Sequence, residues 1–398
     1  MDTVTHGIVG SLIAKGYFSE KHGRVATFAA TLGAVFPDVD VVAEAFSRDP
    51  LAVVRFHRGI THSWIAMPAF ALIFAWLTHR IARRLGMETP SWGILCVIYG
   101  IAIGSHIALD GMTSFGTRMW DPISQNRVAW DLLFIIDFAF TAIVLLPQIE
   151  AWVYRDRSGW WKRATWAGIL FALATLGVWL LAGSVGFPFH AWIAELAIFV
   201  IAALLFLPSV ADWGSRVTRR AWCRAGTYAM FAYIIACGVA HHAALTRVEQ
   251  YASANHISVE RMGALPLPPS LLDWGGVIRA NNGVYASRFD LRQQGAPAFN
   301  FSPDSAPDSF TALAVQLPEV RLYWSFARFP VIRTSMEDGH HVVNFFDQRF
   351  ISRREPQPFT YRVVFDDDGE VIEEGWQSNG NLLRRMQKIL HPRRAATQ

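Results

Sequence analysis

Of the chain's 398 residues, 52% are hydrophobic and only 17% charged, with a mean hydropathy of +0.24. Soluble domains carry about 25% charged residues, so this composition excludes an ordinary soluble domain and points to lipid contact rather than to a large core alone. A formal charge of +4 and a pI near 9.1 do not indicate a nucleic-acid partner, because Arg and Lys gather between apolar runs, where they set topology. Cys96, Cys223 and Cys237 all fall inside apolar stretches without CxxC spacing, which predicts buried small hydrophobes rather than a disulfide or thiolate site.

Along the chain, the start Met1-Asp2-Thr3-Val4-Thr5-His6 has no basic stretch before its apolar run, so a retained N-terminus is expected. Gly7–Phe18 and Val25–Phe36 are apolar over about a dozen residues each, too short to cross a bilayer at ~1.5 Å per residue. They predict a re-entrant hairpin or helices packed on a bundle. About six runs then reach the ~20 residues of a full span: Ser63–Ile81, Trp92–Met112, Trp130–Ile149, Ala164–Gly183, Ala191–Leu207 and Ala221–Ala244. Basic residues occupy alternate loops: Arg80, Arg83 and Arg84; then Arg155, Arg157, Lys162 and Arg163; then Arg216, Arg219, Arg220 and Arg224. One orientation places all three in the cytoplasm. Thr113–Ala129, the Ser184–His190 turn and everything after Leu245 are then extracytoplasmic.

From Leu265 the character changes. Pro-rich punctuation precedes Val320–Phe329, Val342–Phe346 and Tyr361–Phe365, which are rich in aromatic and β-branched residues and predict strands. Asn281-Asn282-Gly283 and Asp366-Asp367-Asp368-Gly369 supply turns. The expected organisation is therefore a mainly helical, polytopic membrane bundle followed by a small β-rich soluble domain. Its parts are a metal-site membrane domain over 1–150, three further spans over 151–250, an extracytoplasmic β-rich domain over 265–390, and a solvated basic end, Arg384 to Arg394.

Metal-binding residue types cluster near segment ends in the first 140 residues: Asp2 and His6, Pro37-Asp38-Val39-Asp40, His57-Arg58-Gly59-Ile60-Thr61-His62-Ser63, His106 with Asp110, and Asp121, Asp131 and Asp137. His106 and Asp110 are four apart, so on a helix they project from one face, as chelating partners or as a ligand and its orienting group. Ionisable groups within a span are costly in lipid and mark function. Proline before two carboxylates suits a bridging or bidentate contact, and Gly59 between His57 and His62 favours a turn. Arg58 offers a planar fork for a phosphate or carboxylate. Such a His/Asp set suits Zn²⁺, or Mn²⁺, and a metal-bound water is a nucleophile near neutral pH. These clusters supply the candidate ligands, and Arg58, Asp38 and Thr61 are candidates for catalytic roles. His241-His242 and His340-His341 read instead as packing and solvated-loop residues.

Together, Asp2-x-x-x-His6-Gly7, Pro37-Asp38-x-Asp40, His57-Arg58-Gly59-x-Thr61-His62-Ser63 and His106-x-x-x-Asp110-Gly111 resemble the bacterial membrane-bound metal-dependent hydrolases, inner-membrane proteins first associated with the LexA regulon. The order is also similar to that of zinc-dependent phospholipase C and related single-strand nucleases. That similarity implies His6, Asp40, His57 or His62, His106 and Asp110 as ligands and phosphoester hydrolysis as the chemistry. Those enzymes use a second HxxxD pair, whereas no His lies here between His106 and His190, which implies a smaller metal site of one or two ions, with Asp131 or Asp137 as completing ligands. The resulting expectation is an inner-membrane hydrolase acting among membrane lipids on a lipid-linked or envelope substrate. The alternatives are a metal-handling or transport protein using the same cluster, or a membrane-anchored binding scaffold.

Overall fold

The computed structural model describes all residues except 48, 185–190, 211–212, 269, 351–356 and 378–398. Nearly all of the Ser184–His190 turn and the basic end Arg384–Arg394 lie outside the described residues. The helices are α1 (Thr3–Tyr17), α2 (Ser19–Val35), α3 (Asp40–Phe46), α4 (Ala52–Arg55), α5 (Met67–Arg84), α6 (Trp92–Gly111), α7 (Phe138–Val153), α8 (Trp160–Ser184), α9 (Ala191–Val210) and α10 (Arg219–Ala254). The strands β1 (Val259–Pro266), β2 (Asp273–Ala280), β3 (Gly283–Asp290) and β4 (Asn300–Pro303) follow, then α11 (Ser309–Ala314), α12 (Pro318–Phe326), β5 (Pro330–Glu337), β6 (His340–Asp347), β7 (Tyr361–Phe365) and β8 (Val371–Trp376). They fold into two compact units interleaved in sequence.

The first unit comprises Met1–Pro37, Ala66–Ala108 and Asp137–Ile235, and is helical. Asp2 caps α1, accepting from the Thr5 amide at 2.9 Å, and so satisfies one of the donors that a helix start leaves open. Small residues bring α1 and α2 together: a Cβ on Gly10 would collide with the Ala30 carbonyl, and one on Gly7 would come within 3.1 Å of Val35. Gly33 gives Tyr99 and Ala102 of α6 a similar close approach.

Four helices among the described residues are long and apolar enough to cross a membrane: Ser19–Glu44, Trp92–Gly111, Trp160–Leu180 and Arg219–Ala254. A fifth span results if the pair Ala52–His62 and Met67–Arg84, bent by 69°, counts as one. The sequence reading of about six differs in several places, among them the Ala191–Leu207 run, which among the described residues is a shorter apolar helix, Ala194–Val210. The Val25–Phe36 run is part of a 26-residue helical stretch, Ser19–Glu44. The Trp130–Ile149 run, in contrast, becomes helical only at Phe138. Asp137 caps α7 by accepting from the Ala139 and Phe140 amides, both at 3.0 Å. The residues before it make backbone hydrogen bonds instead: the Trp130 amide donates to the Gly111 carbonyl and that of Leu132 to Met112, each at 2.8 Å.

The second unit comprises Asp38–Ile65, Leu109–Ile136 and the chain from Ala236 onward. It contains two antiparallel four-stranded sheets, ordered β1-β2-β3-β4 and β5-β6-β7-β8. Leu265, Val277 and Val284 of the first pack with Phe329 and Val331. The expected strands at Val342–Phe346 and Tyr361–Phe365 are present within β6 and β7, and the Asn281-Asn282-Gly283 and Asp366–Gly369 turns join strands as anticipated. Val320–Phe329 is not a strand. Pro318 opens α12, and Val320, Tyr323 and Phe326, spaced by three, form its buried face, a helical period that outweighs β propensity. That face joins Leu51, Val54 and Phe115 in one core, so segments from the N-terminal half of the sequence are built into the β-rich unit.

The α1–α2 contact gives a direct test. Gly10→Leu should destabilise the detergent-purified protein by about 1–3 kcal/mol through overpacking, read as a lower melting temperature. Gly100→Ala, where no atom lies within 4 Å of the added carbon, should melt at or slightly above the parent. Equal melting of the two variants contradicts the close approach.

Candidate metal centre

The donor-bearing loops begin where Pro37 and Asp38 form a 3₁₀ turn, Phe36–Val39, after which α3 starts at Asp40. The change of helix type separates the two carboxylates: Asp38 and Asp40 enter different groups. One group gathers Asp38, His62 and Asp110; the other gathers Asp40, Glu44 and His57. Glu44 was not among the sequence candidates, although its spacing of four from Asp40 on α3 carried the signal. Gly59 permits the expected turn, and His62 lies in the short 3₁₀ helix Ile60–His62, its side chain fully buried.

His62 Nε2 lies 3.2 Å from Asp110 Oδ2 and 3.6 Å from Asp38 Oδ1. Two ligand atoms each about 2.1 Å from one tetrahedral ion stand about 3.4 Å apart, so these separations bracket the edge of a divalent-ion site. His62 Nδ1 faces Thr61 Oγ1 at 3.0 Å and Asp40 Oδ2 at 3.4 Å. A carboxylate and a hydroxyl on Nδ1 are the partners that orient a ligating imidazole through Nε2. His57 Nδ1 lies 3.0 Å from Glu44 and 3.3 Å from Asp40 Oδ1.

Arg58 ties this together. Its backbone occupies the left-handed region, φ 55°, uncommon outside glycine and asparagine. The Arg58 amide donates to Asp40 Oδ2 at 2.8 Å. Its side chain, 1% exposed, pairs through Nε with Asp110 Oδ2 at 2.9 Å, while Nη1 donates to Thr113 Oγ1 at 2.7 Å and to the Asp110 carbonyl at 3.2 Å. The guanidinium also lies 5.2 Å from the Phe115 ring centre. In this arrangement Arg58 positions Asp110; Nε and Nη1, the fork expected for an anion, are engaged within the protein.

Arg127, also missed in the sequence, binds the loop from outside, donating to the carbonyls of Val54 at 2.7 Å, His57 at 3.1 Å and Gly116 at 3.1 Å. Burial, then the neighbouring Arg118 and Arg349 guanidiniums, pushes its pKa down to about 9, which leaves it cationic at neutral pH. Arg349 is pushed down by burial and partly restored by Asp347, its partner at 2.8 Å.

The remaining candidates have other positions. Asp131 forms a two-pronged pair with Arg328 at 2.9 and 2.8 Å. Asp137 caps α7 and accepts from the Tyr233 hydroxyl at 2.9 Å. Asp121 lies 3.6 Å from Arg118, and Asp2 caps α1. His6 and His106 belong to the first unit, where both are buried and stack with ring centres 3.6 Å apart. His106 Nδ1 donates to the Ala34 carbonyl at 2.6 Å, which fixes the tautomer with its lone pair on Nε2. Along α6, His106 precedes Asp110 by one turn, on the same face.

Apolar helices of spanning length and a buried cluster of imidazoles and carboxylates define a membrane protein with a candidate metal-binding centre. Residues 1–186 match the model of a family described as YdjM inner membrane protein. The match covers α1 to α8 and every candidate ligand. No curated protein and no solved structure matches the chain.

The Arg58–Asp110 pair is testable by stability. Arg58→Met leaves a buried carboxylate without its cation and should cost about 3–5 kcal/mol. Adding Asp110→Leu should recover much of that loss in thermal melts of chelator-treated protein. An Arg58→Met variant as stable as the parent would remove the pair from this role.

Proposed function

We propose that this chain is a membrane-embedded, divalent-metal-dependent hydrolase that uses a metal-activated water to cleave a phosphoester or ester of a lipid or envelope-related substrate. The observation that carries the reading is a gathering of donors: Asp38, His62 and Asp110 bring their ligand atoms close together, as do Asp40, Glu44 and His57, with Arg58 paired to Asp110. Buried charges need compensation, and a divalent ion supplies it with ligands of the right type.

His62, Asp110 and Asp38 are the proposed ligands. Zn²⁺ suits these donors best, with Mn²⁺ as the alternative. A bound ion supplies a water acidified to a pKa of about 7. The protein's own groups do the rest. Thr61 and Asp40 hold His62 by Nδ1, Arg58 holds Asp110 in place, and Asp38, the least enclosed of the three, would take up a proton at Oδ2, the oxygen other than the one facing His62. The Asp40–Glu44–His57 group provides a second place for a cation.

The basic clusters at the ends of α5, α7 and the start of α10 favour a site at the non-cytoplasmic face. Arg58 and Arg127, which lie on the opposite loops, are held by internal partners and weigh little as topology charges.

Metal analysis of the detergent-purified full chain is the test. The parent should carry at least one zinc or manganese per molecule. His62→Ala with Asp110→Ala should abolish it, Thr61→Ala should weaken it about 10- to 100-fold, and the exposed His242→Ala should leave it unchanged. Hydrolysis of bis(4-nitrophenyl) phosphate or 4-nitrophenyl acetate should follow metal content. A metal-free parent, or metal content indifferent to the double substitution, defeats the reading.

A further inference from the structure

Two loops of the second unit, residues 55–65 and 116–125, are joined edge to edge. The Arg118 amide donates to the Arg58 carbonyl at 3.0 Å, Arg118 Nη2 to the Arg55 carbonyl at 2.7 Å, and the Trp64 amide to the Met119 carbonyl at 2.9 Å. Between them opens a pocket of about 400 Å³ lined by Arg55, Arg118, Gln125, Phe56, Ile60 and Leu322. One wall, Ile60, begins the same 3₁₀ turn that carries His62.

Three features of this pocket are unusual together. First, it pairs two guanidiniums with three large apolar side chains. Arg118 is only 13% exposed, so its donors act in a poorly hydrated setting where charge-assisted bonds are strong. Asp121 also lines the pocket, yet its carboxylate is 3.6 Å from Arg118 Nε, beyond hydrogen-bond distance, and that buried Nε has no hydrogen-bond acceptor among the described residues. Asp49 holds Arg55 by Nε alone, so the two terminal amino groups of that guanidinium remain for a ligand. Second, the same two loops expose apolar side chains: Phe56 and Ile60, which line the pocket, and Ile65, Trp120 and Ile123 elsewhere on the loops, Ile123 by 82%. Third, the two loops lie next to apolar helices, following α4 and preceding α5 in one case and following α6 in the other. Exposed Trp and Ile beside spans belong at the level of lipid headgroups.

We propose that this pocket binds a phosphate-bearing lipid, with the phosphate in the fork of Arg55 and Arg118, Gln125 donating from its amide, and the first carbons of the chains on Phe56, Ile60 and Leu322. The apolar lining commits the site to a lipid rather than to free phosphate, since a soluble anion makes no use of Phe56, Ile60 or Leu322. The proposal deepens the hydrolase reading by naming the substrate class and its headgroup site, and it rests on that reading for turnover only. Binding at the arginines needs no ion.

The experiment measures binding of phosphatidic acid, phosphatidylcholine and diacylglycerol, each in mixed micelles, to the full-length protein, with inorganic phosphate as a competitor. It is done before and after chelator treatment. Phosphatidic acid should bind at least tenfold more tightly than the other two, with or without chelator, and millimolar phosphate should compete weakly. Arg118→Gln and Arg55→Gln should each weaken phosphatidic acid about tenfold or more, Arg118→Lys less, because lysine keeps the charge and loses the fork. Phe56→Ser, at an exposed position, should weaken the lipid while leaving glycerol 3-phosphate unchanged. Equal binding of the three lipids, indifference to both arginine substitutions, or phosphate competing as well as the lipid would each overturn the proposal. A parent that is purified without bound metal yet binds phosphatidic acid would sink the hydrolase reading and leave this one standing.

Discussion

The buried ion pair between Arg58 and Asp110 is the constraint on which the arrangement of the second unit depends. Two such charges leave water at a cost of several kcal/mol each, recovered only if every remaining donor and acceptor is satisfied. Arg58 Nη1 donates to Thr113 and to the Asp110 backbone carbonyl, Nε pairs with the Asp110 carboxylate at 2.9 Å, and the guanidinium stands over Phe115. Its left-handed backbone is held by an amide bond to Asp40. One residue therefore fixes three things: the end of α6, the start of the 57–63 turn and the orientation of Asp40. The imidazole of His62 is aimed at Asp110 because this pair leaves the turn few other conformations.

The same logic of buried cations extends outward. Arg127 collects carbonyls from Val54, His57 and Gly116, and Arg349 collects those of Ser114, Phe115 and Phe326 while paired to Asp347. Each guanidinium ties loops that have no regular secondary structure of their own, and each is shielded by Phe115, Phe326 or Phe350. The β-rich segments are thus a structural part of the candidate centre. Leu51, Val54 and Phe115 share a core with α12 and the second sheet, so the loops that carry the donors gain their rigidity from residues more than two hundred positions later in the chain.

Much of this was legible in the sequence where a single local rule dominated. The HxxxD spacing on an apolar run gave α6 and its common face, Gly59 gave the turn between two histidines, and β-branched runs gave β6 and β7. The failures share a cause, competition between two local signals or a long-range partner. Val320 to Phe329 has β-rich composition but a helical period of three, and the period won. Trp130 to Ile149 is uniformly apolar, yet Asp137 caps the helix eight residues in and the upstream part bonds to the end of α6. Asp131 resembled a ligand because its partner, Arg328, is 197 positions away. Glu44 was hidden because α3 is short and follows a proline turn, so no long periodic helix advertised the Asp40–Glu44 face.

The distances around His62 also bear on how the buried carboxylates are compensated. One solution protonates the histidines; the other places a cation among them. An imidazolium donating to carboxylates makes charge-assisted bonds of about 2.7–2.9 Å. His62 stands 3.2 Å from Asp110, 3.4 Å from Asp40 and 3.6 Å from Asp38, longer than that range in every direction. Separations of this size are close to the ~3.4 Å edge between two ligands of one tetrahedral ion, the arrangement proposed for this group. His57 is the informative contrast. At 3.0 Å from Glu44 it is close enough for an ordinary hydrogen bond. A hydrogen-bonded imidazole therefore suits the Asp40–Glu44–His57 group. Asp40, facing both histidines through different oxygens, couples the charge state of the first group to the orientation of the second.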